Sequence, residues 1–197
     1  MKKLSDRQNQ ILDSALTLIA EGGIQAVTIK NLSKKIGLVE SAIYRHFGSK
    51  SEILEALLVR FNQKSVKAMT RMREQESSGL NQLEKFVLNK FKNIADDPVK
   101  IAFIFSEKYF LNDEVLQNRI VENMEMIQNE IQRMICDAQE NNEIRNDFDA
   151  RYISQLIMGS IRFTATKWRL SNYGFDLFEE GKEMWGTIKK MMERNNK

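Results

Sequence analysis

Helix breakers are scarce in this 197-residue chain: it has one proline and nine glycines, and between them apolar residues return every three or four positions. Such a chain has few places to turn and no alternating stretch to lay down as a strand. It is predicted to be all-α, with about nine helices. Apolar residues make up 42% and charged residues 29%, enough of both for a packed core under a solvated surface, which excludes a disordered chain. No uncharged apolar run approaches the roughly 20 residues of a membrane span. The densest, Ile101 to Phe105, is followed closely by Glu107 and Lys108. Met1-Lys2-Lys3 begins like a signal peptide, but Asp6 and Arg7 fall where its apolar segment would start. A cytoplasmic protein is therefore expected, with no membrane partner. Cys136 and His46 are the sole cysteine and histidine, which excludes an intrachain disulfide and a Cys/His zinc site; no metal and no cofactor are expected.

Caps and glycines mark the expected helix ends. Ser5 with Gln8 forms a capping box for a first helix burying Ile11, Leu12, Ala15, Leu16 and Ile19, and Gly22-Gly23 closes it in the left-handed conformation. Thr28 caps a short second helix with Ile29, Leu32 and Ile36 on one face, and Gly37 stops it. A third helix is expected from about Val39 to Phe47, with Val39, Ile43 and Phe47 turned inward. Ser49 and Glu52 make a second capping box, for a long fourth helix, and a fifth carries Leu83, Phe86, Val87, Phe91 and Ile94. Asp97-Pro98 opens a sixth running through Phe110, and Asn112 or Asp113 caps a seventh whose stripe runs from Leu116 to Ala138. An eighth follows Asp149, and a ninth holds Leu177, Trp185 and Met192.

Residues 28–50, TIKNLSKKIGLVESAIYRHFGSK, set two short amphipathic helices around Gly37, the signature of a helix-turn-helix. Such a unit places its second helix in the major groove, whose width of about 12 Å admits it. With Ile43 and Phe47 inward, Ser41 and Arg45 point outward, flanked by Glu40 and Tyr44 on one side and His46 on the other. Charge agrees, since residues 1–50 carry eight Lys/Arg against four Asp/Glu while the remainder carries 22 against 23. A cation in a helix's first turn opposes the macrodipole unless an anion sits there, so Lys50, the Ser49 hydroxyl and the free amides beside them form a candidate phosphate site. The same logic puts Thr28 and Lys30 near a second phosphate, and the Tyr44 phenol near another. The plainer alternatives are an Arg45–Glu40 ion pair, a solvated Glu40 and a half-buried His46.

This segment resembles the TetR family of bacterial transcriptional repressors. The family pattern is a threonine before a short helix, a glycine turn, a tyrosine three residues before an aromatic or aliphatic residue, and then a lysine; Thr28, Gly37, Tyr44, Phe47 and Lys50 meet it. The resemblance implies that Tyr44, His46 and Lys50 contact phosphate, that Lys30 holds a basic DNA-contacting position, and that Glu40 and Ser41 hold base-reading ones. The turn departs from the pattern by reading Leu38-Val39 where a valine and a small hydroxyl residue are usual, so the recognition helix is expected without its usual cap. Glu40 brings an acid to DNA, which suits only a contact with a cytosine amino group. The candidate DNA-contacting set is Thr28, Lys30, Val39, Glu40, Ser41, Tyr44, Arg45, His46 and Lys50. The family layout implies a three-helix DNA-binding domain over residues 1–48 and a helical ligand-binding and dimerisation domain over residues 49–197.

Residues 80–170 are rich in aromatic and methionine side chains, and the resemblance implies an inducer pocket there. The candidate lining is Phe86, Phe103, Tyr109, Met124, Met158, Arg162, Phe163 and Lys167, with ordinary core packing as the alternative. Cys136 reads as a buried small apolar residue. Gly159, Gly181 and Gly186 interrupt helical patterns at about 1 kcal/mol each relative to alanine. Close helix approach offsets such a cost, so a homodimer through the last two helices is expected, presenting third helices to half-sites about 34 Å apart or more. The expected function is a ligand-responsive repressor of double-stranded DNA, released by a small, apolar effector. A helical-bundle enzyme lacks a nucleophile–base pair, a glycine-rich phosphate loop or metal-ligand spacing here, so no enzyme is expected. A protein-binding adaptor leaves the basic residues around one short helix pair unexplained.

Overall fold

The structure is a computed structural model that describes residues 4–99, 103 and 109–194. Among those residues it holds eight α-helices and no strand. They are α1 (Asp6–Gly22), α2 (Ile29–Ile36), α3 (Glu40–Tyr44), α4 (Lys50–Gln75), α5 (Gly79–Asp96), α6 (Glu114–Glu140), α7 (Ala150–Leu170) and α8 (Leu177–Met192), with a 3-10 turn at Ile24–Ala26. The helix expected from Asp97-Pro98 through Phe110 lies for the most part outside the described residues. No described helix is long and apolar enough to cross a membrane. The chain divides into two compact units, Met1–Lys64 with Val99–Glu122 and Ser65–Pro98 with Asn123–Lys197.

In the first unit the capping box of α1 is complete: the Gln8 amide donates to Ser5 Oγ at 3.2 Å and the Ser5 amide to the Gln8 side chain at 3.0 Å. Gly22 is the last helical residue, and Gly23 closes α1 with φ 74° and ψ 179°, a conformation nearly confined to glycine. That differs from the left-handed helical turn expected of the pair. Gly37 does adopt it, with φ 74° and ψ 35°, and the Leu38 amide then reaches back to the Ser33 carbonyl at 2.9 Å. The chain thereby reverses sharply between α2 and α3.

α3 is shorter than expected, because the His46 and Phe47 amides both converge on the Ile43 carbonyl and tighten its end. Val39 is its N-cap, in an extended conformation and without a side-chain cap bond, as an aliphatic residue at that position requires. Standing outside the helix, Val39 leaves the inward stripe on which the 3.6-residue period would place it, and is 67% exposed. Ala42, Ile43 and Phe47 are buried instead, over a core that includes Ile11, Leu12, Leu32, Ile53 and Leu57. Phe103 joins that core edge-on to Phe61 and Phe110, with ring centroids 5.9 and 5.4 Å away.

In the second unit α5 packs against α7 and α8, which also pack together. Gly79 begins α5 where a Cβ would lie 2.5 Å from the Met134 carbonyl and the Ala138 amide of α6. Gly181 is equally constrained, since a Cβ there would collide with the Phe91 ring. Its helical cost is therefore offset by α5 of the same chain, a correction to the expectation that all three glycines serve a dimer contact. Gly159 and Gly186 meet nothing within 4 Å. Cys136 is exposed rather than buried, because the inward stripe of α6 is Ile131, Met134, Ile135 and Ala138 and residue 136 turns away from it.

Candidate nucleic-acid interface

Burying Ala42, Ile43 and Phe47 turns the opposite side of α3 outward, and Glu40, Ser41, Tyr44 and Arg45 are all exposed there, Tyr44 by 52%. Among the described residues Arg45 and Glu40 form no ion pair, so guanidinium, carboxylate, hydroxyl and phenol remain at the surface. His46 is half-buried, and its carbonyl accepts from the Gln8 side chain at 3.4 Å, which ties the end of this segment to α1.

Thr28 and Lys30 are exposed at the start of α2. Thr28 Oγ1 accepts from the Asn31 amide at 3.1 Å, while the Asn31 side chain donates to the Ala26 carbonyl at 2.8 Å, so the helix start is held from both ends. Lys34 and Lys35 add two exposed cations in the last turn of α2, and Lys35 pairs with Glu21 at 2.5 Å.

Lys50 is half-buried, with Nζ donating to the Ile24 carbonyl at 3.2 Å. Burial lowers its ammonium below the ordinary lysine value. One of its three donors is thus used to fix the side chain across the 3-10 turn, and two remain. The capping box at α4 forms with a shift: the Glu52 amide donates to Ser49 Oγ at 3.2 Å, but the Glu52 carboxylate accepts from Gly48, at 2.7 Å, rather than from Ser49. The Ser49 hydroxyl keeps its own hydrogen to donate.

Three side-chain links in the first unit have no local signal in the sequence. The Tyr109 hydroxyl donates to the Gln25 side chain at 2.9 Å, Arg119 pairs with Glu55 at 2.8 Å, and Asp113 bonds the Ser51 hydroxyl, which holds its carboxyl below the usual range. Separations of 84 and 64 residues put the first two beyond any periodicity argument.

The eight candidate effector-pocket residues come from both units. Phe103 and Tyr109 belong to the first unit and the other six to the second. Phe86 and Phe103 are buried, Met158 is half-buried, and Met124, Arg162, Phe163 and Lys167 are exposed. The Lys167 ammonium lies 5.5 Å from the Phe175 ring centroid. Phe163, 71% exposed, is the one of the eight that lines the open groove of about 580 Å³ along α7, together with Tyr152, Leu156, Gly159 and Met184 of α8.

The family described as bacterial regulatory proteins, tetR family, matches residues 11–57, and the family described as YsiA-like protein, C-terminal region, matches residues 58–190. The fatty acid metabolism regulator protein of Bacillus subtilis (strain 168) is 26% identical over 179 residues, 90% of this chain and 91% of that protein. The nucleoid occlusion factor SlmA of Glaesserella parasuis serovar 5 (strain SH0165) is 26% identical over 190 residues, 95% of this chain and 93% of that protein. The crystal structure of the transcriptional regulator FadR from Bacillus subtilis in complex with stearoyl-CoA shares the fold, with a TM-score of 0.78 at 23% identity over 91% of this chain and 96% of that one.

Proposed function

The chain belongs to the TetR family of bacterial regulatory proteins, and from that premise we propose that it is a ligand-responsive repressor that binds a pseudo-palindromic operator as a homodimer. The observation that carries this is the outward face of α3, where Ser41, Tyr44 and Arg45 stand exposed while Ala42, Ile43 and Phe47 hold the helix down. In this assignment residues 1–48 are the DNA-binding domain. Thr28, Lys30, Tyr44, His46 and Lys50 take phosphates, and Val39, Glu40, Ser41 and Arg45 face base edges, Val39 offering its methyls to a thymine. A bacterial operator as target places its action in the cytoplasm.

Residues 49–197 are assigned effector binding and dimerisation, the latter through α7 and α8. The exposed Tyr152, Leu156 and Phe163 beside the open Gly159 support that face. The related FadR holds stearoyl-CoA, which supports a small effector with a large apolar part. Release follows if the effector favours a spacing of the two α3 helices that fits the operator poorly; effector and operator then weaken each other by the same factor.

Footprinting on the DNA flanking this protein's own coding region, followed by a salt titration of the protected duplex, tests the assignment. Affinity falls steeply with salt, and Lys50→Ala flattens the log–log slope by about one while weakening all sequences alike. Arg45→Ala changes sequence preference instead. Duplex affinity untouched by both substitutions would falsify the interface.

A further inference from the structure

Stretches far apart in the chain meet at the 3-10 turn between α1 and α2. Gly23, with φ 74° and ψ 179°, leads into it, and a Cβ there would lie 2.9 Å from both polar atoms of the Gln25 side chain. The missing side chain leaves room for the Gln25 amide to fold back. That amide accepts from the Tyr109 hydroxyl at 2.9 Å. One residue earlier the Ile24 carbonyl accepts from Lys50 Nζ at 3.2 Å, and one residue later the Ala26 carbonyl accepts from the Asn31 side chain at 2.8 Å. Each residue of the turn is thus held by a side chain from outside it.

Two of these links belong to a closed ring within the first unit. The stretch that carries Tyr109 is anchored by its neighbour Phe110, which is buried edge-on against Phe103 and whose carbonyl accepts from the Asp113 amide at 3.0 Å. Beyond it, Arg119 reaches Glu55 of α4 at 2.8 Å, and Asp113 accepts from the Ser51 hydroxyl. Lys50 precedes Ser51 and bonds back to Ile24, beside the residue that Tyr109 holds. The ring matters for what Lys50 does with the two donors it has left. A lysine that seats on a phosphate gives up its rotamer freedom, and one already held in place gives up less. The Ile24 carbonyl holds the ammonium in place only while the turn keeps its orientation, and Tyr109 fixes the next residue of that turn.

We propose that Tyr109 is a positioning residue for the operator phosphate taken by Lys50, acting through Gln25 and the turn at Ile24–Ala26 rather than on DNA itself. This rests on the reading of Lys50 as a phosphate contact. It adds to the DNA-binding machinery a hydroxyl that lies far outside residues 1–48, and it gives Gln25 and the bare Gly23 a part in operator affinity.

The test is a double-mutant cycle on the full-length chain, read as affinity for the duplex that footprinting identifies. Tyr109→Phe deletes only the hydroxyl and is expected to weaken duplex binding about three- to tenfold. Gln25→Met removes the acceptor of the same bond and is expected to do the same, with little further loss when the two are combined. In a Lys50→Ala background each is expected to cost less than about twofold, because the contact that they position is already gone. A merely structural role does not produce that pattern, since a general loss of folded protein weakens binding equally in both backgrounds. Unchanged affinity for Tyr109→Phe, equal losses with and without Lys50, or losses from Tyr109→Phe and Gln25→Met that add in full overturn the positioning role and leave the phosphate contact standing. If Lys50→Ala itself leaves duplex affinity unchanged, the phosphate reading falls and the inference falls with it.

Discussion

Lys50 donates to the Ile24 carbonyl from a partly desolvated position, and its ammonium gives up its proton at lower pH than it does in the unfolded chain. Between the native value and the ordinary one near 10.5, the unfolded chain therefore holds more protons, and stability rises with pH across that window. DNA affinity moves the opposite way, since a neutral amine no longer attracts phosphate. Urea unfolding of wild type and Lys50→Met from pH 7.5 to about 10.5 is expected to show a stability gap that shifts in favour of wild type as pH rises. Duplex binding over the same range shows the advantage of wild type shrinking. A gap that stays constant, or moves the other way, removes the desolvated ammonium from the account. The outward direction of Ser41 and Arg45 is legible in the sequence, because Ile43 and Phe47 fix the inward side of a helix and leave only one other. The direction of Val39 is not legible in that way, since the helical period holds only for residues inside the helix and Val39 is its cap.

Local chemistry also governs how each helix begins, and its range decides what a sequence reveals. Ser5, Thr28, Ser49 and Asp149 are legible as caps because each serves an amide two or three residues ahead. The choice between Asn112 and Asp113 falls to Asp113, which accepts from the Leu116 amide at 3.1 Å. The start of α5 is different, for its capping group comes partly from 65 residues away: the Glu143 carboxylate accepts from Ser78 Oγ at 3.0 Å and from the Leu80 amide at 2.8 Å. Ser78 itself caps the Asn81 amide at 3.1 Å. Ser78→Ala is thus expected to cost about 1 kcal/mol, a drop of roughly 2–4 °C in the melting temperature for a chain of this length. A calorimetric scan checks it, and an unchanged midpoint removes the cap from the account of α5. Further along the same helix Glu84 is hydrogen-bonded to Lys189 of α8 at 2.7 Å, which holds its carboxyl below the usual range. The native value lies under the unfolded one, so this stabilisation is complete above the ordinary glutamate range and is lost as pH falls through the native value. Glu84→Gln is expected to lower the neutral plateau slightly, because both side chains are more than a third exposed, and to flatten the acid limb by the same amount, so that the two curves converge as pH falls from 6 to about 3.

At the scale of the whole molecule, helix content and the recognition segment follow from breaker spacing and cap chemistry, whereas the effector pocket does not follow from composition. Aromatic and methionine bulk marks buried volume without saying whether it is filled. Phe86 and Phe103 have gone into the cores of different units, and Phe163 has gone to the surface. The surface fate is the more telling. Tyr152, Leu156 and Phe163 recur on one side of α7 at 55%, 58% and 71% exposure, beside a glycine at position 159 with open space over it. A monomer has little reason to present such a stripe, while a second copy packed across it buries the aromatics and uses the glycine for close approach. Phe163→Asp then places a charge in that contact and is expected to shift sedimentation from dimer to monomer at micromolar concentration. Each protomer keeps its fold, because the side chain is already in water. Operator affinity falls by about 10²-fold or more, since two half-sites are no longer held by one particle. Far-ultraviolet circular dichroism and the melting temperature at low concentration verify that the protomer is intact. A Phe163→Asp protein that still sediments as a dimer assigns the two-fold contact to another face, and the spacing of the two recognition helices would then have to be set from there.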